Sequence, residues 1–202
     1  MSDTRIEPRY SARYLDALGF AARLHATQGR KMVVPPAAPV PYVIHLLEAS
    51  ALVWEAGGDE ELAIAGLLHD AIEDQYTEGL EAEIERFYGA RVLAVVRGCS
   101  DGKPGEARGA GNWHTRKQAY IDKIMEAPHD IRLVSLCDKV SNARATVDGL
   151  EDGLDEWSLF NVERPDTLWY YDELRKAFLA KPPHERMTNR FDRLVTRMHE
   201  FG

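Results

Sequence analysis

The sequence predicts an all-α protein, and three observations support that prediction. Apolar residues recur every three or four positions through most of the 202-residue chain, a spacing that places them on one face of a helix. No segment alternates apolar and polar residues over the length of a strand. Glycines, prolines and capping residues separate the periodic stretches. We therefore expect helices around one core, in a single domain covering residues 1–202.

Two helices are predicted before residue 58. The first ends near His25, and Leu15, Leu18 and Ala22 follow one another along it at helical spacings of three and four. The prolines between Val33 and Pro41 exclude a helix in the next segment, because proline has no backbone N–H to donate. A second helix is expected to begin near Pro41, since proline suits a first helical turn, and to run to about Glu55.

A third helix is predicted to begin after Asp59. The aspartate side chain can accept a backbone N–H of the first turn, and Glu60 and Glu61 are well placed for the helix dipole. The apolar pattern continues past the first turn, so we expect one unbroken helix that carries His69 and reaches Ile72.

A fourth helix is predicted from the spacing of Leu80, Ile84 and Phe87, with Gly89 closing it and a short helix following over 92–96. Residues 98–111 contain five glycines, and we expect a mobile surface loop or lid there. A phosphate-cradling loop is the alternative, but the segment lacks the Gly-x-x-x-x-Gly-Lys-Ser/Thr pattern and does not follow a strand.

Four helices are expected after this loop, the last two over about 165–180 and 182–200. Their predicted inward residues are Trp113, Tyr120, Ile121 and Ile124 in the first, Leu133, Leu136, Cys137, Val140 and Val147 in the second, and Met187, Phe191, Leu194, Val195 and Met198 in the last.

Charge and composition narrow the function. The chain has 25 Lys and Arg against 33 Asp and Glu, a net charge of −8, which argues against non-specific binding to nucleic acid or to an anionic membrane. A small anionic substrate stays compatible if cations or a metal reverse the local sign. Two cysteines, Cys99 and Cys137, are too few for a disulfide framework. The polar N-terminus favours the cytoplasm; the oligomeric state is left open.

The pair His69-Asp70 predicts part of a metal site. Neighbouring helical residues project about 100° apart, so both side chains reach one point only if it lies between them, as a divalent cation can. Asp138 and His45 also lie in apolar settings, where an unpaired carboxylate is costly. Two imidazoles and two carboxylates from three helices would suit Mn²⁺ or Fe²⁺ and can take Zn²⁺ or Mg²⁺.

Each of these residues, considered by itself, has a simpler structural interpretation. His45 can be a core histidine, and Asp138 an ion-pair partner of Lys139 or Arg144. The joint pattern favours the metal site. Glu73 and Asp74 lie four positions beyond the helical ligands, on the same predicted faces. Carboxylates there could orient or deprotonate a water molecule, or protonate a leaving group; a solvated helix end is the alternative.

The order His…His-Asp…Asp resembles the HD phosphohydrolase superfamily. Longer motifs resemble the hydrolase domain of the RelA/SpoT family, especially its stand-alone small alarmone hydrolases, with the similarity strongest over residues 14–147 and weak through the two additional C-terminal helices. The motifs are His25-x-x-Gln28-x-Arg30-Lys31, Pro41-Tyr42-x-x-His45, Leu67-Leu68-His69-Asp70-x-x-Glu73-Asp74 and Asp138-Lys139-x-x-Asn142-x-Arg144.

The resemblance implies an HD-type helical domain and a Mn²⁺-dependent enzyme that removes the 3′-pyrophosphate of ppGpp or pppGpp. It also implies a role for each matching residue. The implied roles are metal ligation for His45, His69, Asp70 and Asp138, control of the attacking water for Glu73 and Asp74, the nucleotide pocket for Arg30 and Lys31, ribose and 3′-phosphate contact for Asn142, attraction of the anion for Lys139 and Arg144, and a place beside the base, or else in the core, for Tyr170.

The chain departs from the family between its Arg-Lys and Pro-Tyr motifs, where residues 32–40 form a proline-rich insert. This insert borders the implied base pocket, so a preference for guanine or adenine stays open. Arg116 and Lys117 are expected on a solvated helix face, with a place in the cationic patch that attracts the anion as the alternative. Two other functions remain as alternatives: a phosphohydrolase acting on another nucleotide phosphomonoester, and a nucleotide-binding module without turnover.

Overall fold

The computed structural model describes residues 10–31, 40–102 and 112–201. In these ranges all regular structure is helical apart from an isolated antiparallel bridge between Gly29 and Pro41, so the all-α prediction is confirmed. The elements are α1 (Ala12–Leu24), α2 (Val43–Glu55), α3 (Glu60–Leu68), α4 (Ala71–Asp74), α5 (Leu80–Cys99), α6 (Trp113–Glu126), α7 (His129–Glu151), a 3₁₀ helix (Glu156–Leu159), α8 (Arg164–Ala180) and α9 (Glu185–Glu200).

Helices α2, α3 and α7 form the centre of the fold. α1 and α5 pack on α3, whereas α9 packs on α7 and α8 packs on α9. The contact between α2 and α3 is close because Gly66 has no side chain: a Cβ there would lie 3.0 Å from the Cα of Ser50. The Ser50 hydroxyl also donates to the Ala63 carbonyl at 2.8 Å. This close packing brings the beginning of α2 beside the end of α3.

The third helix begins as predicted but ends earlier. The Asp59 side chain accepts the N–H of Leu62 at 3.0 Å, as an N-cap should. The predicted continuation to Ile72 is wrong, because α3 ends at Leu68 and the separate α4 begins at 71. The His69 ring bonds to the Gly66 carbonyl at 2.8 Å, the acceptor that the next turn of a continuous helix would use.

Helix α5 matches its prediction at Gly89 and differs from it in length. Gly89 has a φ of 88° and a non-helical backbone, so one helical segment ends there and a second follows, as predicted. The second segment continues to Cys99 instead of ending at 96, so the loop predicted to begin at residue 98 begins later. Leu80 and Ile84 are buried and Phe87 is exposed, while Tyr88 is buried with its hydroxyl donating to Asp16 at 2.8 Å.

The later helices match their predictions closely. The predicted inward faces of α6 and α7 are buried, and Cys137 is fully buried with a free thiol. α8 and α9 begin within three residues of the expected starts, while the short 3₁₀ helix before them was not predicted. None of the described helices is long and apolar enough to cross a membrane. Residues 32–39 and 103–111, which hold most of the insert and of the glycine-rich segment, lie outside the described residues.

Candidate active site

Four side chains from α2, the turn after α3, and α7 converge on one buried point. Two are imidazoles, each 1% exposed, and two are carboxylates with the aspartate of α7 the more buried. The Nε2 atom of His45 lies 3.2 Å from Nε2 of His69, 3.5 Å from Oδ2 of Asp70 and 3.1 Å from Oδ1 of Asp138. The Nε2 atom of His69 lies 3.1 Å from Oδ2 of Asp70 and 3.3 Å from Oδ1 of Asp138.

These distances fit a shared divalent cation. Nitrogen and oxygen ligands about 2.1 Å from one ion, at angles of 90° to 110°, lie about 3.0 to 3.4 Å apart. His45, His69 and Asp70 form a cluster that could hold a metal ion, and Oδ1 of Asp138 lies against both imidazoles. The mixed donor set suits several first-row metals and Mg²⁺, so the residues fit a divalent cation without identifying it.

The outer ring nitrogens of the two histidines orient the inner ones. The Nδ1–H of His69 donates to the Gly66 carbonyl, which leaves Nε2 as the free ligand atom. The Nδ1 of His45 lies 2.9 Å from the Ser141 hydroxyl, and that hydroxyl donates to Glu48 at 2.8 Å. Since the hydroxyl hydrogen is directed at Glu48, the serine oxygen accepts from His45.

Arg144 belongs to this supporting layer rather than to a substrate pocket. Its guanidinium donates to both oxygens of Glu48, at 2.6 and 2.9 Å, and to Asp148 at 2.7 Å. Burial opposes the ionisation of Glu48, but the hydrogen bonds from Arg144 and Ser141 hold its pKa below the ordinary value. The structure therefore corrects the substrate-attracting role expected for Arg144, because its donors are occupied away from the pocket.

Electrostatics keep the ligand carboxylates ionised. Burial opposes charge on Asp70 and Asp138, yet the facing histidines, with Lys139 beside Asp138, hold the pKa of each well below its ordinary value. Tyr42 donates its hydroxyl to Oδ2 of Asp70 at 2.5 Å. Burial and the nearby Asp70 hold the pKa of Tyr42 well above its ordinary value, so it stays a phenol donor.

A cavity of about 660 Å³ opens beside the four convergent residues, a size that suits a nucleotide. Cationic and acidic side chains both line it. The cationic lining residues in the described part of the chain are Arg30, Lys31, Arg116, Lys117 and Lys139, and the acidic ones are Asp70, Glu73, Asp74, Asp138 and Glu156.

Arg116 and Lys117 correct a sequence expectation. Their side chains are only 13% and 16% exposed and line the cavity, so the solvated helix face expected for them is wrong. Both contact the buried carboxylate of Asp101, with Lys117 at 2.5 Å. The Lys117 ammonium also lies 4.7 Å from the centre of the Tyr170 ring. Tyr170 is buried and also lines the cavity, so its position is compatible with both roles that the sequence left open, beside the base and in the core.

Asn142 and Lys139 engage the ligand Asp138 from the cavity side. The Asn142 amide donates to Oδ1 at 2.6 Å, and the Lys139 ammonium donates to Oδ2 at 2.5 Å. Arg30 in turn donates to the Asn142 carbonyl oxygen at 2.7 Å, which joins the end of α1 to α7. Lys31 is exposed at the cavity edge. The structure thus brings these four predicted residues to one wall.

Glu73 and Asp74 line the same cavity from the short helix α4. Glu73 accepts the backbone N–H of Asp101 at 3.0 Å, and Asp74 accepts the side-chain N–H of Gln28 at 2.8 Å. Because α3 ends before them, they reach the cavity from a separate turn and not from the same helical faces as the ligands. Carboxylates beside a cation site can accept or return a proton.

Sequence reasoning assigned no individual role to Tyr42, Ser141, Glu48 or Asp101. Ser141 follows Asp138 by three positions on one helix, a spacing that could have marked it as a neighbour of the site. Tyr42 adjoins the predicted start of α2, three positions before a ligand. Glu48 and Asp101 carried no comparable signal, because their partners lie far away along the chain.

Comparison with known proteins places this geometry in a family. The profile described as "HD domain" matches residues 17–153, more than half of the chain. A guanosine-3′,5′-bis(diphosphate) 3′-pyrophosphohydrolase MESH1 from Drosophila melanogaster is 31% identical over 136 residues, which cover 66% of this chain and 69% of the relative. A guanosine-3′,5′-bis(diphosphate) 3′-pyrophosphohydrolase from Aquifex aeolicus (strain VF5) is 31% identical over 180 residues, 88% of this chain but only 21% of the relative.

A solved structure shares the fold. It belongs to a metazoan ortholog of SpoT that is described as hydrolysing ppGpp, and it superposes with a TM-score of 0.74 at 23% identity. The alignment covers 95% of this chain and 97% of that one, so the two share their fold over nearly their whole lengths. With the profile match and the Drosophila relative, these findings establish that the chain belongs to the HD domain family.

Proposed function

We propose that this protein is a metal-dependent pyrophosphohydrolase that removes the 3′-pyrophosphate of guanosine-3′,5′-bis(diphosphate) or its pentaphosphate, releasing pyrophosphate and GDP or GTP. The observation that carries the proposal is the set of four ligand atoms, 3.1 to 3.5 Å apart across the measured pairs, beside a cavity lined by five cationic side chains among the described residues. The names of the relatives from Drosophila and Aquifex support the same substrate.

His45, His69, Asp70 and Asp138 would hold the cation, for which we propose Mn²⁺, with Fe²⁺, Zn²⁺ and Mg²⁺ as alternatives. When bound, the cation supplies a Lewis acid and makes a nearby water molecule easier to deprotonate. The protein's part is to orient its two imidazoles through their outer nitrogens, as the bonds to Gly66 and Ser141 do.

Glu73 and Asp74 are proposed to manage the proton. Water attacks the phosphorus attached to the 3′ oxygen, and one of the two carboxylates accepts the proton that the water loses. The bond between phosphorus and the 3′ oxygen breaks, and the same proton returns to that oxygen as pyrophosphate leaves. Both carboxylates line the cavity beside the ligand Asp70, which supports this assignment.

The cavity cations are proposed to bind the substrate phosphates. Arg30, Lys31 and Lys139 line the same cavity as Asn142, for which we propose contact with the ribose and the 3′-phosphate. Tyr170 is proposed to stack beside the base, since its ring forms part of the cavity lining. Their clustering offsets the net charge of −8, which on its own would repel an anionic nucleotide.

The decisive experiment is a substrate panel with the purified protein. It compares ppGpp, pppGpp, ppApp and a 3′-phosphomonoester, each with Mn²⁺, Mg²⁺, Zn²⁺, Fe²⁺ or EDTA, and separates products by anion-exchange chromatography. We expect pyrophosphate and GDP from ppGpp with Mn²⁺, and none with EDTA. Release of orthophosphate alone would favour the phosphomonoester alternative. Tight binding of ppGpp without any product would favour a binding module.

Three broader proposals accompany this function. Residues 14–147 and the helices over about 165–200 are proposed to form one domain, because α9 packs along α7 and α8 packs on α9. A small nucleotide is the proposed partner, and the absence of nucleic-acid and membrane partners stays a prediction. Action in the cytoplasm also stays a prediction from the sequence, and an oligomer is compatible with all of these proposals.

A further inference from the structure

A short relay of side chains leads from buried His25 to the carboxylate of Asp74. The Nδ1 atom of His25 lies 2.7 Å from Oε1 of Gln28, and Nε2 of Gln28 donates to Oδ2 of Asp74 at 2.8 Å. Gln75 donates from its own amide to the same Oε1 atom at 2.6 Å. Gln28 therefore sits between two donors on one side and an acidic residue on the other.

The orientation of the Gln28 amide follows from its partners. An ionised carboxylate only accepts hydrogen bonds, so the NH₂ group of Gln28 must face Asp74. The amide oxygen then faces His25 and Gln75, which both supply N–H groups. The reverse orientation would place two oxygen atoms 2.8 Å apart and would set the Gln28 NH₂ group against the NH₂ group of Gln75.

His25 and the local backbone hold Gln28 in place. The His25 ring is 3% exposed and stacks on Tyr42 at a centroid distance of 5.3 Å and an interplanar angle of 19°. Its Nε2 atom has no hydrogen-bond partner among the described residues, which fits a ring that carries its proton on Nδ1. The Gln28 N–H donates to the His25 carbonyl, and the Gln28 carbonyl accepts from Tyr42, each at 3.0 Å.

Asp74 lies near the end of a short element. Helix α4 contains only four residues, and the Asp74 side chain is exposed where it meets the cavity. An exposed carboxylate on such a turn samples several rotamers, and only some of them face the reacting atoms. A hydrogen-bond donor that is itself held in place, as the Gln28 amide is, reduces the number of Asp74 rotamers before substrate binds.

We infer that Gln28 is a positioning residue that holds the Asp74 carboxylate in the orientation required for proton transfer. The inference rests on the proposed hydrolysis, and it assigns to Gln28 no contact with the substrate or the metal. Its consequence is specific: loss of the Gln28 amide lowers kcat through Asp74, while substrate affinity and metal affinity stay nearly unchanged.

The first experiment replaces Gln28 by methionine, which keeps the length of the side chain and removes its hydrogen bonds. We expect kcat for ppGpp to fall about 10- to 100-fold, the usual effect of losing an orienting partner, with KM and the Mn²⁺ dissociation constant within about twofold. Gln118→Met is the matched control. Gln118 also donates to an aspartate, Asp122 at 2.8 Å, but on an exposed face of α6, and its replacement should leave kcat unchanged.

A double-mutant cycle tests whether Gln28 affects kcat through Asp74. In an Asp74→Ala background, Gln28→Met should cause no further loss of kcat, because the group it positions is gone. A loss of equal size in both backgrounds would overturn the inference, and so would a loss confined to KM or to metal affinity. Full kcat in the Gln28→Met protein would also overturn it.

A final measurement does not depend on activity. In the metal-free protein, the side-chain NH₂ resonances of Gln28 should shift when Asp74 is replaced by alanine, while those of Gln118 should not. Unchanged Gln28 resonances would overturn the inference even if the enzyme is active. If the parent protein hydrolyses no alarmone but the resonances do shift, the proposed function fails and the contact between Gln28 and Asp74 stands.

Discussion

At the scale of single residues, the atoms proposed to bind the cation are oriented by hydrogen bonds from side chains farther from the site. His45 reaches the ligand cluster through its Nε2 atom, while its Nδ1 atom is held by Ser141, then Glu48, then Arg144. Each residue of this chain of hydrogen bonds donates to or accepts from the next, so the His45 imidazole cannot rotate without leaving a buried polar group unpaired. The orientation of one ligand thus depends on a residue that lies 99 positions away in the chain.

Replacement of Asp70 by asparagine should abolish turnover. The variant loses one negative ligand, and we expect Mn²⁺ affinity to fall by at least about 100-fold while the helical circular dichroism spectrum stays unchanged. Titration calorimetry with Mn²⁺ and the ppGpp assay measure the two effects. Wild-type activity in this variant would contradict the assigned ligand set. Asp122→Asn, on the exposed face of α6, is the control.

Replacement of Ser141 by alanine should lower Mn²⁺ affinity by less than the Asp70 replacement does. The His45 Nδ1 atom then loses its partner, and Glu48 loses one of the bonds that keep its pKa low. We expect Mn²⁺ affinity to fall about tenfold, in line with the loss of other groups that orient a metal ligand. Unaltered affinity would show that Ser141 does not orient His45. Ser158→Ala, in the 3₁₀ helix, provides a serine control away from the ligands.

Asp101 provides a prediction about pH. Burial opposes its ionisation, but Lys117 and Arg116 hold its pKa below the ordinary value. The ionised form therefore adds stability above the unfolded-state pKa of about 3.9, and this is lost as pH falls through the lower folded-state value. Asp101→Asn should lower the free energy of unfolding by about 2 to 3 kcal/mol at pH 7, less than for a fully buried pair.

Urea denaturation of both proteins at several pH values measures this effect. The difference between parent and Asp101→Asn should be constant from pH 7 to pH 5 and should shrink below about pH 4, where the Asp101 carboxyl begins to protonate in the unfolded chain. A difference that grows in acid would show that the stabilising form is the neutral one. That result would contradict the ion pairs with Arg116 and Lys117.

At the scale of secondary-structure elements, the contact between α2 and α3 sets the geometry of the site. Gly66 lies where a Cβ would meet the backbone of Ser50, and the same residue offers its carbonyl to the His69 ring. Because backbone cannot give way as a flexible side chain can, any larger residue at this position must separate the two helices. That separation would move His69 away from His45.

Gly66→Ala should therefore destabilise the protein by about 1 to 3 kcal/mol, although alanine is the better helix former. Gly19→Ala is the matched control, because the nearest atom to its Cβ is the end of the flexible Arg23 side chain at 3.1 Å. We expect Gly19→Ala to stabilise the protein by about 0.5 to 1 kcal/mol. Urea denaturation measures both, and equal effects of the two replacements would contradict the close approach of α2 and α3.

The elements also show which features can be predicted from sequence. Helices that follow a proline and have clear periodicity, namely α2, α8 and α9, lie within three residues of their expected limits. The break after Leu68 was not predictable, because a side chain competes there for a backbone acceptor and the apolar pattern does not change. Phe87 follows Ile84 by three positions and Tyr88 follows it by four, so spacing alone could not decide which of the two is buried; the structure buries Tyr88.

In the site, too, residues that share a sequence motif could be predicted, whereas contacts between distant parts of the chain could not. Residue types and motif order pointed to His45, His69, Asp70 and Asp138 as one group, and the structure places them together. The neighbours of these residues could not be read in the same way. Arg144 lies six positions after Asp138, yet its partner Glu48 is on α2, and that long-range contact decides where its guanidinium lies.

At the scale of the whole molecule, the cation site should contribute to stability. Metal binds the folded chain and not the separated ligands, so Mn²⁺ at 100 times its dissociation constant adds about 2.7 kcal/mol. For a chain of this size that corresponds to a rise in Tm of about 5 to 10 °C. Differential scanning calorimetry with Mn²⁺ and with EDTA measures the shift. An identical rise in Asp70→Asn would place the stabilising metal elsewhere.

The four ligands also divide unequally along the chain. Three of them belong to α2 and to the turn after α3, two helices that are neighbours in the sequence and pack as a hairpin. Asp138 belongs to α7, which follows α5 and α6 in the chain. A cation held by all four would thus act as a removable cross-link that closes a loop of about 70 residues. Separation of α7 from the hairpin would then require release of the ion, so a chelator should speed unfolding as well as stop catalysis.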